Sequence, residues 1–136
     1  MTLRPKIAFV DDEVRVLDGL QRALRGRGDS WDMSFHSSPQ EALTAFRTRR
    51  PHVAVLDIRM PDMSGIELAR KLREGGLDTV CIVLSGSTDF DVALSSINDA
   101  NIFRYYVKPC PPEDLARGIE EALRTHGDKV GADVSA

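Results

Sequence analysis

The sequence predicts an α/β domain built on a doubly wound, five-stranded parallel sheet. Three observations predict it. Five short apolar runs recur along the chain, segments of helical spacing lie between them, and several of those segments open with helix-start signatures. Alternation of five strands with five helices implies right-handed crossovers that put helices on both faces of the sheet.

The elements follow in order. "KIAFV" (6–10) is continuously apolar, as a strand covered on both faces should be, and Leu17, Leu20 and Leu24 then form a helical stripe. "DMSFH" (32–36) alternates, which suits an edge strand. Ser38-Pro39-Gln40-Glu41 places a capping serine, a proline at the first helical position and a glutamate three residues after the cap. "VAVLD" (53–57) is again continuously apolar up to its last residue. Ser64-Gly65-Ile66-Glu67 repeats the capping-box spacing, and Leu68 and Leu72 carry the stripe of that helix. "CIVLS" (81–85) and "RYYVK" (104–108) supply the last two strands. Pro111-Pro112-Glu113-Asp114 sets two acids in a first turn, where the helix dipole favours them, and Leu115, Ile119, Ala122 and Leu123 continue that helix. Periodicity alone admits short buried helices in place of the runs, but their lengths and β-branched content favour strands. The pattern stops after about Thr125. The sequence therefore reads as one domain over 1–125, with 126–136 a flexible tail or linker.

Bulk properties narrow the function. A chain of 136 residues with 42% apolar and 29% charged content fits one ordinary globular domain. Eighteen basic against 21 acidic residues give a formal charge of −3, which offers nucleic acid no electrostatic grip. The cluster "RTRR" (47–50) reads as a solvated helix end. The N-terminus lacks the apolar core of a secretory signal, and no apolar run is long enough to span a membrane. Cys81 and Cys110 make no disulfide framework, so a reducing cytoplasm is the expected compartment. Cys81 reads as core, and Cys110 as a passive thiol near the candidate site. His36, His52 and His126 lack metal-ligand spacing and receive no function.

The polar residues are the informative ones. In open parallel sheets, ligands bind beyond the carboxyl ends of the strands. Here strand one ends at Asp11-Asp12-Glu13, strand three at Asp57, strand four at Ser85 and strand five at Lys108. Strand ends often turn polar simply because they meet water, but four such ends at one sheet edge suggest a site. Three crowded carboxylates repel one another, and a single lysine is too little positive charge to balance them. A hard divalent cation such as Mg²⁺, which accepts oxygen ligands and keeps several waters, completes the balance. Acids, Mg²⁺, a hydroxyl and a lysine together suit phosphoryl transfer, in which a carboxylate can act as nucleophile and become an aspartyl-phosphate. Asp57 is the central candidate.

"FVDDE", "VLDIRMPDMSG", "VLSG" and "YYVKP" stand in an order and at spacings that resemble the receiver domains of two-component response regulators, over roughly Lys6 to Arg124. The resemblance implies a chemotaxis-regulator-like, flavodoxin-like (βα)5 fold with strand order 2-1-3-4-5. It implies that Asp57 is the phosphoacceptor, taking a phosphoryl group from a sensor histidine kinase or phosphotransfer protein. It makes Asp12 and Asp57 direct Mg²⁺ ligands, together with the backbone carbonyl of Arg59, and has Asp11 act through a bound water. Ser85 takes the place of the switch hydroxyl and Lys108 that of the phosphate-binding lysine. Gly86 fits the small residue that leaves room for a phosphohistidine, and the Lys108-Pro109 bond is expected to be cis. Tyr105 matches the aromatic switch by spacing, but strand alternation points Tyr105 and Tyr106 to opposite faces, and either could simply pack against a helix. The resemblance also puts Arg59 and Ser87 at positions that in that family often tune hydrolysis, with no direction of effect implied here. "INDANIFRYYVKPC" is similar to receivers attached to HD-type phosphodiesterase outputs.

The expected function is a phosphorylation-dependent signalling switch in a cytoplasmic phosphorelay. It is not an enzyme, although it catalyses its own Mg²⁺-dependent phosphorylation and dephosphorylation. No direct nucleic-acid or membrane contact is expected, the output domain or effector is unspecified, and a phosphorylation-dependent homodimer stays open. Three alternatives compete. An aspartyl-phosphate hydrolase of the haloacid-dehalogenase type needs a DxD motif after its first strand, whereas Asp57-Ile58-Arg59 follows the third and lacks the second acid. A binding module that is never phosphorylated would not need the full acidic set and Lys108. Flavodoxin-like cofactor binding shares only the fold class.

Overall fold

The computed structural model describes residues 4–86 and 101–135, with side chains through residue 127. The strands are β1 (Lys6–Val10), β2 (Asp32–His36), β3 (Val53–Asp57), β4 (Val80–Ser85) and β5 (Arg104–Val107). The helices are α1 (Val14–Ala23), α2 (Pro39–Arg49), α3 (Gly65–Glu74) and α4 (Pro112–Ser135), with a 3-10 turn at Arg25–Arg27. The strands form one parallel sheet in the order β2-β1-β3-β4-β5. The helix expected between β4 and β5 falls at 87–100, outside the described residues.

Strand alternation divides the core into two layers. From β1, Ala8 and Val10 join Phe46 of α2 and Leu68 and Leu72 of α3 on one face. Ile7 and Phe9 join Leu17 of α1 and Leu115 and Ile119 of α4 on the other. The three central strands are buried almost throughout, so their apolar runs are continuous. Alternating β2 lies at an edge with every residue half-buried.

The helix starts follow the capping chemistry. Ser38 Oγ accepts from the Glu41 backbone N–H and Ser64 Oγ from that of Glu67, which satisfies donors that the first helical turn leaves without partners. Glu113 and Asp114 lie in the first turn of α4.

The last helix runs further than its apolar stripe. The segment 126–135, expected as a flexible tail or linker, is helical and continues α4. It contains no proline, and extending a formed helix adds one hydrogen bond for each residue fixed, so a helix anchored by Leu115, Ile119 and Ala122 carries an unpatterned segment with it.

Candidate functional site

The carboxyl ends of β1, β3, β4 and β5 meet at one edge of the sheet. Asp57 closes β3 and pairs in register with Leu84, and Ser85 pairs with Val107 just before Lys108. Asp11 follows β1 directly, held by its N–H donating to the His36 carbonyl at 3.1 Å. Asp11, Asp57 and Ser85 are the buried polar side chains among the described residues. All three belong to the set expected from the strand ends. Burying a polar group is costly unless something satisfies it, so this concentration marks the edge as built for a purpose.

Lys108 Nζ lies 2.9 Å from Asp11 Oδ2 and 3.1 Å from Asp57 Oδ1. Burial alone would lower the lysine's pKa, but hydrogen bonds and charge from the two carboxylates outweigh it and raise the pKa above the usual lysine range. Asp57 remains uncompensated because one ammonium is shared between two acids. Burial, reinforced by repulsion from Asp11 and less from Asp12, lifts Asp57 to about 6 against the opposing pull of Lys108. At neutral pH most of Asp57 is still ionised, the form in which a carboxylate is a nucleophile. Asp11 Oδ1 also accepts from the Glu13 N–H at 2.9 Å, which fixes the acidic turn after β1.

The residues fit a hard divalent cation. Asp11, Asp12 and Asp57 each offer one carboxylate oxygen, all within 4.8 Å of one another, and the one ammonium seated among them, that of Lys108, contacts Asp11 and Asp57. Oxygen donors of this kind suit Mg²⁺. Asp12 is exposed, which leaves the solvent side of the cluster open.

The Ser85 hydroxyl donates to the Gly86 carbonyl at 2.9 Å, and the Ser85 carbonyl accepts from the Lys108 N–H at 2.7 Å, so the ends of β4 and β5 are tied together. The Lys108-Pro109 bond is cis. The tyrosines separate by face: Tyr105 packs on the α2–α3 layer and Tyr106 on the α1–α4 layer, over Gly118. Arg59 is exposed in the loop after β3, and Ser87 lies outside the described residues. Cys81 is core, and burial pushes the half-buried Cys110 thiol up, in keeping with passive roles.

The sequence profile described as the response regulator receiver domain matches residues 7–120. The chain belongs to the response regulator receiver family. This receiver is 35% identical over 130 residues to the DNA-binding response regulator MtrA of Mycobacterium bovis, covering 94% of the chain and 54% of that protein. It is 32% identical over 121 residues to the hydrogenase transcriptional regulatory protein HoxA of Cupriavidus necator, covering 89% of the chain and 24% of that protein. The receiver therefore spans about a quarter to a half of these curated relatives. Among solved structures, the signal receiver domain of an HD domain-containing protein from Pseudomonas fluorescens Pf-5 superposes with a TM-score of 0.85 at 25% identity, over 93% of this chain and 99% of that one. The receiver is a phosphoacceptor module of two-component signalling.

Two features of the receiver escaped the sequence reading. Gly65 is packed against the peptide of Asp57, although its spacing in "MSG" suggested only a helix start. At the opposite end of the sheet, the rings of His52 and His126 meet with centroids 4.8 Å apart. No local pattern could join residues so distant in the chain.

Proposed function

We propose that Asp57 is the residue this receiver phosphorylates, with Mg²⁺ held by the carboxylates of Asp12 and Asp57 and the Arg59 carbonyl, and with Asp11 acting through water. The observation that carries the reading is the burial of Asp57 beside Asp11 and within reach of the Lys108 ammonium. The donor is a phosphohistidine on a sensor histidine kinase or phosphotransfer protein. One Asp57 carboxylate oxygen attacks phosphorus, the new O–P bond forms as the P–N bond breaks, and the histidine leaves as a neutral imidazole after taking up a proton. When bound, Mg²⁺ supplies positive charge that offsets repulsion between the anionic nucleophile and the phosphoryl oxygens.

The chain's own groups do the rest. Lys108 turns from the carboxylates towards a phosphoryl oxygen, and the Ser85 hydroxyl leaves the Gly86 carbonyl to donate to another. Gly86 leaves the approach open. These contacts exist in only one state, so phosphate shifts a conformational equilibrium. Tyr105, on the face opposite Tyr106 and packed on the α2–α3 layer, is the aromatic that shifts in response to Ser85. The receiver thus acts as a switch, with self-phosphorylation and autodephosphorylation as its only chemistry. It works in the cytoplasm and passes its state to an output domain or effector; the described helices include none long and apolar enough to cross a membrane.

Incubation with acetyl phosphate and Mg²⁺, followed by intact-mass measurement, tests this. One phosphate should appear on the wild type, and none without Mg²⁺ or on Asp57→Asn. A phosphate retained by Asp57→Asn would move the acceptor elsewhere.

A further inference from the structure

We propose that Gly65 is a positioning residue for the acceptor: its missing side chain lets the start of α3 seat against the Asp57 peptide and holds the intervening loop closed at its neck. The proposal rests on the reading of Asp57 as the acceptor.

The loop 58–64 leaves β3 at Asp57 and returns at Gly65. Two contacts close it. The Gly65 N–H donates to the Ile58 carbonyl at 3.1 Å. On the other side of the same residue, a Cβ would stand 2.2 Å from the Asp57 carbonyl oxygen, 2.9 Å from its carbonyl carbon and 3.2 Å from Leu56 Cβ. Neither carbonyl atom belongs to a side chain that could swing aside.

Conformational freedom does not explain the glycine. Its φ lies outside the left-handed region, it is the first residue of α3, and helix propensity alone favours alanine there. Space is the remaining reason. Reaching ordinary van der Waals contact requires the two backbones to part by more than 1 Å.

Both sides resist that movement. Asp57 is in register with Leu84, and the next N–H, from Ile58, donates to the Leu84 carbonyl at 3.0 Å. The helix is pinned by buried Ile66, Leu68 and Leu72 and by the Ser64 cap. Close-packed interiors yield little to added atoms. The displacement therefore falls on the neck, which carries the acceptor at one end and the Arg59 carbonyl two residues beyond. A misplacement of about 1 Å in oriented chemistry costs about 10²-fold in rate.

The test compares full-length wild type, Gly65→Ala and Leu72→Ala, the last removing packing from the same helix away from the neck. Three quantities are measured: the rate of phosphorylation by acetyl phosphate with Mg²⁺, the affinity for Mg²⁺ alone, and the titration of the Asp57 carboxyl by NMR in metal-free protein. Gly65→Ala should phosphorylate about 10²-fold more slowly, bind Mg²⁺ more weakly and titrate Asp57 away from the wild-type value. Leu72→Ala should unfold more easily yet keep the wild-type rate and Asp57 titration while folded. If Gly65→Ala unfolds by itself, trimethylamine N-oxide restores the compact state and the same readings are taken there. A wild-type rate and titration in Gly65→Ala, or equal slowing in Leu72→Ala, overturns the proposal. Absence of phosphate on the wild type itself would instead sink the acceptor reading, and the positioning role with it.

Discussion

At Asp57, burial and a neighbouring carboxylate act against the charge that phosphoryl transfer needs. Its pKa of about 6 means that the folded protein holds this proton more tightly than the unfolded chain does. Between the ordinary carboxylate value near 4 and about 6, stability therefore falls as pH rises, and the full cost stands above that window. Asp57→Asn, a neutral isostere, should raise unfolding stability at pH 7 by up to about 3 kcal/mol. The gain should shrink as pH falls from about 6 and be largely gone at pH about 4, where the folded and the unfolded carboxyl are both taking up the proton. Urea unfolding at both pH values checks this; a less stable variant at pH 7 would mean that the Lys108 contact outweighs burial. Asp11, Asp12, Asp57 and Lys108 were legible in the sequence because charge at the end of an apolar run is conspicuous. Gly65 was not. A missing Cβ becomes informative only once the atoms it would strike are known.

Among the elements, the strands and caps were readable nearly to the residue, since continuous apolar runs and Ser-x-x-Glu spacings are local signals. The extension of α4 was not, because its helicity is inherited from the anchored turns before it. The His52–His126 contact was also hidden. His52 Nδ1 accepts from the Lys6 N–H at 3.0 Å, at the first residue of β1, and His126 Nε2 lies 3.4 Å from Asp78 Oδ1. An imidazolium has no acceptor, so protonating His52 breaks the bond to β1. Burial, with the charges of His126 and Lys6 outweighing that of Asp78, holds the His52 pKa below 6.5. Its contribution is therefore complete above pH about 6.5 and is lost as pH falls through the lower folded value. His52→Asn keeps an acceptor and removes the titration. The stability of the wild type relative to this variant should rise from pH 5 to 7, because the opposing Asp57 contribution is common to both proteins and cancels in the difference. An unchanged slope would show that the histidine's protonation does not govern the start of β1.

For the whole molecule, the parallel sheet gathers residues from four strand ends at one edge and buries two separate apolar layers behind them. That arrangement was legible because alternation of strand and helix fixes chain direction, and direction fixes which ends converge. The switch belongs to this scale, since coupling requires an element with two arrangements, and proximity alone does not provide one. Beryllofluoride with Mg²⁺ should change hydrogen exchange from Ser85 through segment 87–106 and into the start of α4. Changes confined to the metal and phosphate ligands would leave the phosphoryl chemistry intact and remove the proposed switch.

The central claim is that the phosphoryl group is carried on Asp57. Borohydride reduces an acyl phosphate to an alcohol but leaves a free carboxylate untouched. Protein treated with acetyl phosphate and Mg²⁺, reduced, digested and mapped by mass should show homoserine in place of Asp57 and unmodified aspartate at positions 11 and 12. Homoserine at either of those positions, or at none of the three while the protein gains phosphate mass, would contradict the account.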